Sequence, residues 1–353
     1  RVGLLASLIY AISSYLVQFD RMVSSANLVM MISLFVLLAL WAIKEEKKWG
    51  IYLLSFSLGF GLHNHFSLAF LLPIALFALL FVIPKPKIPR RSLVFSSVIF
   101  FLLLLPFLIF DLRHGFLNSK ALLHFLVKPG EGAFDPFVGF LEAIKVAVWS
   151  LKGIFLMKQF PLLDLPIFIF LIWVGRQIFS KKRRTKEAAD LRLIFLFIVL
   201  PILAFSLYRQ HIPNYYFMIS FPAFIIITSY YFINFLEKNR NRKVRALLFL
   251  LIVLFSFINL KQNYTAANSL SLKNKRGVVR FILDKSEGKP FRVSYTTALS
   301  FENGFPYLFW FYKAKITADE KSPIFTIVVP KNFQGIVPWV SFGGFGVIGP
   351  RYD

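Results

Sequence analysis

The feature that most constrains this chain is a series of nine apolar runs, each close to the length needed to cross a bilayer. A membrane-spanning helix needs about 20 mostly apolar residues, and the runs cover residues 2–19, 27–43, 49–63, 66–83, 92–110, 161–179, 191–208, 213–235 and 244–260. Apolar residues make up 57% of the 353 residues and phenylalanine alone occurs 44 times, more than a water-soluble core requires. We predict an α-helical polytopic membrane bundle of about nine spans.

Short basic clusters between these runs predict the orientation of the bundle. Lysine and arginine are clustered in four connections, at Lys44–Lys48, Lys85–Arg91, Lys181–Arg192 and Glu237–Arg245. Cytoplasmic loops of membrane proteins are enriched in these residues, so strict alternation places the other connections and everything after residue 260 outside the cell membrane. The net charge of +24 comes largely from these loops, and nucleic acid is not a predicted partner.

One further apolar segment, residues 139–157, is interpreted as an amphipathic helix lying in the membrane interface. At 100° per residue, Glu142, Lys145 and Lys152 fall on one face of it together with Trp149. Counting this segment as a span would reverse every later connection and move the basic clusters outside, so it is not counted as one of the nine.

After residue 260 the composition changes to that of a water-facing domain. The amphipathic stretch Lys275–Asp284 precedes two β-like runs, Phe291–Tyr295 and Ile324–Val329. We therefore divide the chain into a membrane domain, residues 1–260, and a small extracytoplasmic α/β domain, residues 261–353.

Cysteine is absent, which excludes disulfides and thiolate metal sites. The chain begins at Arg1 and is apolar from Val2, which we interpret as a chain whose N-terminal part is missing.

Ionisable residues within or at the edge of a membrane are costly and are therefore candidates for function. Under the predicted topology all five histidines lie on the outer side, at positions 63, 65, 114, 124 and 211, together with Asp20, Arg21, Asp111, Arg113 and Arg209. This asymmetry predicts a polar cavity open to the outer leaflet. Because a guanidinium offers paired donors to a phosphate, we expect Arg21, Arg113 and Arg209 to face that one cavity.

Three outer connections are open to more than one interpretation. Asp20 and Arg21 could bind a phosphate or simply form an interfacial pair. The connection His63-Asn64-His65 could hold a metal, donate hydrogen bonds to a substrate, or contain only satisfied polar residues. The segment Arg209–Tyr216 could contact a phosphate headgroup or belong to the aromatic belt of the membrane interface.

The fourth connection, Asp111–Lys128, places Asp111, Arg113 and His114 within four residues. A short amphipathic helix follows, with Asn118 as a possible cap. The Gly- and Pro-containing stretch after it is typical of a mobile loop. Such a segment is either a lid over a polar cavity or an ordinary solvated loop.

The order of these motifs resembles the GT-C superfamily of lipid-linked-sugar glycosyltransferases. The runs "FDRMVSSANLVMMISLFVLLAL" and "GFGLHNHFSLAFLLP" are similar to its exposed arginine followed by a new helix and to its Gly-rich span with an outer histidine. The runs "PFLIFDLRHGFLNSKALLHFL" and "RQHIPNYYFMISFPAF" resemble segments of bacterial members of its protein-mannosyltransferase-like branch. The resemblance covers roughly residues 1–260.

This resemblance implies transfer of a sugar from a polyprenyl-phosphate donor to a glycan, lipid or protein acceptor at the outer face of the membrane. The catalytic aspartate of such enzymes lies in a first outer loop, which would precede Arg1, and Asp111 is only a weak substitute. The matching positions become candidate substrate contacts, namely Arg21, His65, Arg113, His114, Arg209, His211 and Tyr215.

Two other functions remain open at this point. A polysaccharide polymerase or ligase also keeps arginine and histidine in outer loops, but more often has one very large outer loop between late spans. A lipid or sugar transporter or flippase would show broken helices near the middle of the membrane. No nucleotide-binding or soluble-hydrolase motif is present, and no cofactor is evident, although a divalent metal is left open.

Overall fold

The computed structural model describes residues 1–21, 25–84, 88–127, 135–155, 161–180, 185–208, 212–265, 270–297, 302–331 and 333–351. The chain forms two compact units, Arg1–Tyr264 and Thr265–Asp353. The first unit is entirely helical over its described residues. The predicted boundary after residue 260 falls inside its last helix, which continues to Thr265.

The α-helices of the first unit follow one another along the chain as α1 (Val2–Ile12), α2 (Ser14–Asp20), α3 (Val29–Lys44), α4 (Trp49–Asn64), α5 (Leu71–Phe77), α6 (Arg90–Arg113), α7 (Leu117–Val127), α8 (Pro136–Phe155), α9 (Asp164–Phe179), α10 (Lys186–Ser206), α11 (Phe221–Lys238) and α12 (Arg242–Thr265). Short 3-10 helices precede α3, α5, α9 and α11, and a π-helical turn, Ala78–Val82, extends α5.

Each of the nine apolar runs contains helix, because a helix satisfies every backbone polar group within its own segment. Among the described residues five helices are long and apolar enough to cross a membrane, namely Ala26–Lys44, Arg90–Arg113, Lys186–Ser206, Asn214–Lys238 and Arg242–Thr265. Helices α1 and α2 pass the same test only as a pair, bent by 66°. Over the described part of the chain there are thus five or six candidate spans, and nine are not confirmed. Helices α4 and α9 have 16 residues each, and Ser67–Val82 is likewise a shorter apolar helix.

Helix α8 covers the segment predicted as an interfacial amphipathic helix, but its charged residues do not share a water-facing stripe. Its small residues Ala143 and Ala147 are buried, and the helix packs against α10 and the 3-10 helix Asn214–Ser220. Lys145 is exposed, whereas Lys152 is only 1% exposed and its ammonium group forms an ion pair with Asp164 at the start of α9. The prediction for Lys152 was wrong because helical periodicity does not show which neighbour supplies a counter-charge.

An ion-pair network joins two of the predicted cytoplasmic loops at one end of the bundle. Lys44 Nζ lies 2.5 Å from Asp190 Oδ1, and Lys186 Nζ lies 2.5 Å from Glu45 Oε2. The hydrogen bond from Lys186 holds the pKa of Glu45 below its ordinary value. The basic clusters after α3 and before α10 therefore lie at the same end of the unit, as alternation of the helices requires.

The second unit contains the small sheet and the helix that the sequence predicted. Its elements are α13 (Leu272–Ser286), β1 (Arg292–Thr297), α14 (Phe305–Phe311), β2 (Ile324–Val329), β3 (Val340–Phe342) and β4 (Phe345–Arg351). The strand order is β1-β2-β4-β3, with β1 parallel to β2 and the other pairs antiparallel. Apolar side chains of α13 and α14 pack on one face of this sheet and form a core separate from that of the helical unit.

Candidate substrate site

The 3-10 helix Asn214–Ser220 brings together residues from four distant parts of the chain. Pro213 precedes it with φ −65°, a value that the proline ring imposes. The Asn214 side chain donates to the hydroxyl of Tyr15 on α2 at 3.4 Å, and the Asn214 backbone carbonyl oxygen accepts from Ser150 Oγ on α8 at 3.3 Å. The start of this short helix is thereby fixed between α2 and α8.

The next two residues of this 3-10 helix contact His65, which lies between α4 and α5. The His65 ring centroid lies 5.5 Å from that of Tyr215 and 5.5 Å from that of Tyr216, both with edge-to-face geometry. Tyr208 lies 6.0 Å from Tyr216. Tyr216 is buried, whereas His65 and Tyr215 are half-buried and remain reachable from the surface. Two of the predicted substrate contacts, His65 and Tyr215, are thus neighbours.

The hydrogen bonds of His65 identify its tautomer. Its Nδ1 accepts a hydrogen bond from the backbone N–H of Ser67 at 3.1 Å, which caps the 3-10 helix Phe66–Phe70. Burial lowers the pKa of His65 below its ordinary value, so the ring is neutral near pH 7. Its single proton therefore lies on Nε2. Over the part of the chain that the structure describes, no hydrogen-bond partner of this Nε2 is found.

His63 does not share a site with His65. Its Nε2 contacts the carbonyl oxygen of Leu103 on α6, and its ring lies edge-on to Phe107 at 6.4 Å. The two histidines therefore contact different elements, and the metal pair considered from the sequence is not formed. Within the described ranges there is no group of three or more acidic or histidine side chains that could hold a metal ion.

Asp20 and Arg21 lie at the end of α2, next to the last helix of the unit. The Tyr10 hydroxyl lies 3.3 Å from an oxygen of Asp20, and Arg21 donates to the carbonyl oxygen of Asn263 at 3.3 Å. Arg21 is exposed, so its guanidinium remains accessible despite this contact. Its described partner, Asn263, belongs to α12.

Asp111 caps the following helix and is not a free base. Its carboxylate accepts hydrogen bonds from the backbone N–H groups of Asn118 at 2.6 Å and Ser119 at 3.0 Å, and from the Ser119 hydroxyl. These are the first-turn N–H groups of α7, which an acidic side chain stabilises. Asp111, and not Asn118, therefore supplies the cap, and the structure gives no support to Asp111 as a substitute catalytic residue.

Arg113 and His114 end α6 and lie beside an open surface groove of about 450 Å³. The His114 ring stacks on Phe110 at 4.0 Å and its Nδ1 lies 2.7 Å from the Phe110 carbonyl oxygen. The rest of the groove is apolar, being lined by Leu102, Leu105, Pro106, Ile109 and Phe110. This site combines an apolar helix face with two nitrogen-bearing side chains at one end.

The remaining predicted contacts, Arg209 and His211, lie outside the described residues. Of the three arginines expected to share one cavity, the structure therefore describes Arg21 and Arg113. Arg21 contacts α12, whereas Arg113 lies on α6, which packs against α4. Among the described contacts none joins these two arginines, so their sharing of one cavity stays a prediction.

Sequence reasoning missed the buried ion pair between Lys152 and Asp164 and the anchoring contacts of Asn214. The sequence contained a signal for this ion pair, because a lysine inside an apolar helix needs a partner. Asp164 follows Lys152 after one short connection. The contacts of Asn214 with Tyr15 and Ser150 had no comparable signal in the sequence.

The chain was compared with models of known protein families, with curated proteins and with solved structures. It matches none of them.

Proposed function

We propose that this chain is a membrane glycosyltransferase that transfers a sugar from a polyprenyl-phosphate donor to an acceptor at the outer face of the cell membrane. In this proposal the helical unit lies in the bilayer and the unit Thr265–Asp353 lies outside. The observation that carries the proposal is the contact between His65 and Tyr215, two residues assigned to substrate from separate outer motifs.

The chemistry of this pair fits the donor headgroup. A neutral imidazole with its proton on Nε2 can donate a hydrogen bond to a phosphate or sugar oxygen without carrying a buried charge. The Tyr215 hydroxyl can donate or accept at the same place. A glycosyl phosphate is already activated, so the protein has to position it and stabilise the negative charge of the departing phosphate.

The groove beside α6 supports the same type of substrate. A polyprenyl-phosphate has a long apolar tail and an anionic head, and the groove has an apolar wall that ends at Arg113 and His114. A second apolar groove lies nearer the start of α6 and shares Leu102 and Leu105 with the first. In this proposal the polyprenyl tail lies along several turns of α6.

The ion-pair network supports the proposed orientation. Lys44, Glu45, Lys186 and Asp190 join two Lys- and Arg-rich loops at one end of the bundle. The positive-inside rule assigns such loops to the cytoplasm. Labelling with a membrane-impermeant maleimide tests this, because the chain has no cysteine of its own. In intact cells we expect labelling of Asp319→Cys and none of Lys238→Cys; the reverse pattern would refute the orientation.

Donor binding is tested with the full chain in phosphatidylcholine vesicles and a photoreactive polyprenyl-phosphate sugar. We expect crosslinked peptides that contain His65 or Tyr215. His65→Asn should reduce crosslinking at least several-fold, because asparagine can still cap the 3-10 helix but lacks the Nε2 proton. Transfer of radiolabelled sugar to added membrane extract is the second measurement.

A matched pair of tyrosine variants serves as the control for this test. Tyr215→Phe removes the hydroxyl at the proposed site, whereas Tyr264→Phe removes one from a tyrosine that is 89% exposed. We expect a loss of donor crosslinking with the first variant and not with the second. Equal crosslinking in both, with peptides that map elsewhere, would reject the assignment of this site.

The bend between α1 and α2 is a feature that a transporter would also have. Its polar groups, however, are occupied by protein: Ile12 O accepts from Asn263, Ser13 Oγ donates to Ile154 O, and Ser14 N–H donates to Asn259. A substrate would have to displace these contacts, so the bend favours a structural role. Movement of the donor across the vesicle membrane without loss of its sugar would instead identify a flippase.

A further inference from the structure

Helix α14 of the second unit presents three large aromatic side chains to its surroundings. Tyr307, Trp310 and Phe311 are 60%, 72% and 53% exposed. Their spacing of three and four residues places them on one side of the helix, and this set is called the aromatic face below. The Tyr307 ring lies 5.7 Å from that of Trp310 and 6.2 Å from that of Phe311, so the three form one continuous surface.

The aromatic face cannot turn inward, because the other side of α14 is part of the core. Phe305 and Phe309 are fully buried and Leu308 is 3% exposed. Phe305 and Phe309 contact Phe345 and Phe291, which line the sheet. A contiguous exposed apolar surface of this kind marks a place of interaction with a membrane or another molecule.

The charges beside the aromatic face are positive. Lys313 and Lys315 follow α14 and are both exposed. The Arg280 guanidinium lies 5.7 Å from the ring of Tyr312, immediately after the helix. No acidic residue occurs in the sequence between Glu302 and Asp319. Tryptophan and tyrosine concentrate at membrane interfaces, and nearby lysine and arginine are attracted to anionic lipid headgroups.

The position of the unit in the chain makes a membrane available to this surface. Helix α12, which ends at Thr265, is apolar enough to cross a membrane, and α13 begins at Leu272. Only six residues, 266–271, separate the two helices in the sequence. A glycan platform would be expected to carry amide or carboxylate groups beside its rings, and the segment 305–316 contains neither.

We propose that the aromatic face of α14 inserts into the interfacial layer of the bilayer, with Lys313 and Lys315 contacting anionic headgroups. The contact fixes which side of the second unit faces the lipid. This contact with the bilayer does not depend on the sugar chemistry proposed above. We would expect it in any membrane protein that carries this C-terminal unit.

The absence of cysteine allows a direct test with single labels in the full chain. Tyr307→Cys is labelled with an environment-sensitive nitrobenzoxadiazole dye and the protein is reconstituted in vesicles of phosphatidylcholine and phosphatidylglycerol at a ratio of 3:1. We expect quenching by lipids that carry a shallow nitroxide and protection from aqueous iodide. The matched control is Val337→Cys, an apolar position that is 87% exposed and lies outside α14; its label should be quenched by iodide.

A second variant separates insertion from simple proximity. Adding Trp310→Ala and Phe311→Ala to the labelled Tyr307→Cys chain leaves the buried side of α14 intact and should abolish most nitroxide quenching. Vesicles without phosphatidylglycerol should reduce it several-fold. Three results would overturn the proposal: iodide quenching at 307 equal to that at 337, nitroxide quenching equal at both positions, or protection from iodide at 307 without nitroxide quenching, which would mean that protein or glycan covers the face.

Discussion

The side-chain oxygen of Asn259 accepts two hydrogen bonds from Ser14, one from its backbone N–H at 2.8 Å and one from its Oγ at 2.9 Å. Asn259 is 2% exposed and is the one buried residue of the long helix α12. It therefore satisfies a backbone donor that the bend between α1 and α2 has freed. The same helix supplies Asn263, which donates to the carbonyl oxygen of Ile12 on the other side of the bend.

We expect Asn259→Leu to destabilise the helical unit by about 1–3 kcal/mol, because it leaves the buried N–H of Ser14 without an acceptor. Thermal unfolding of the full chain in detergent micelles measures the effect. Ser256→Ala is the control on the same helix, since Ser256 Oγ donates within that helix, to Ile252 O. Equal unfolding temperatures for the two variants would show that the bend does not depend on α12.

The ion pair between the buried Lys152 and the partly exposed Asp164 predicts an asymmetry between its two members. The Lys152 side chain is 2% exposed and that of Asp164 is 44% exposed. Asp164→Asn removes the carboxylate charge from a buried ammonium group and should cost about 3 kcal/mol. Lys152→Met keeps the length of the side chain and removes the charge, so it should cost clearly less. Unfolding in micelles gives both values, and a larger loss for Lys152→Met would contradict this account.

Asp111 provides a prediction that separates capping from catalysis. Asp111→Ala should destabilise α7 by about 1 kcal/mol and increase hydrogen exchange at Asn118 and Ser119, whose N–H groups it accepts. Asp111→Asn keeps an acceptor oxygen and should retain most of the protection and all of the sugar transfer. Loss of transfer in Asp111→Asn with normal exchange would restore Asp111 as a catalytic candidate.

His65 should make the stability of the helical unit depend on pH. Burial lowers the pKa of His65 below the ordinary 6.5, so the unfolded chain takes up a proton at a higher pH than the folded chain does. The stability that depends on neutral His65 is therefore present above about pH 6.5 and decreases as the pH falls below it. Unfolding temperatures between pH 8 and pH 5 should show this decrease, and His65→Asn should reduce it. An identical pH dependence in both proteins would contradict the assignment.

Several elements were predictable because their signal is local. The predicted run 92–110 is helical and lies within the helix Arg90–Arg113. A long apolar segment favours a helix because a helix satisfies its backbone polar groups internally. The β-like run Ile324–Val329 is strand β2, bounded by the residues expected. Nine spans are not confirmed, and composition does not show that α4 ends after 16 residues or that α1 and α2 bend at Ser13.

The candidate site was only partly predictable. His65 and Tyr215 were both assigned to substrate, but their contact spans 150 positions of the sequence and depends on the packing around the 3-10 helix Asn214–Ser220. Asp111 looked like a membrane-edge acid until its position beside the first turn of α7 identified it as a cap. The sequence assigned Lys152 to a polar face of its helix, whereas the structure places the carboxylate of Asp164, at the start of α9, beside its ammonium group.

The sequence by itself determined that this chain forms apolar helices followed by a small α/β domain, because apolar composition and short-range periodicity act over a few neighbouring residues. The tertiary structure decided which polar side chains meet. Ser14 and Asn259 lie 245 positions apart, and their contact depends on how complete helices pack. A buried polar group requires a partner, but the chain can supply that partner from any helix that packing brings close.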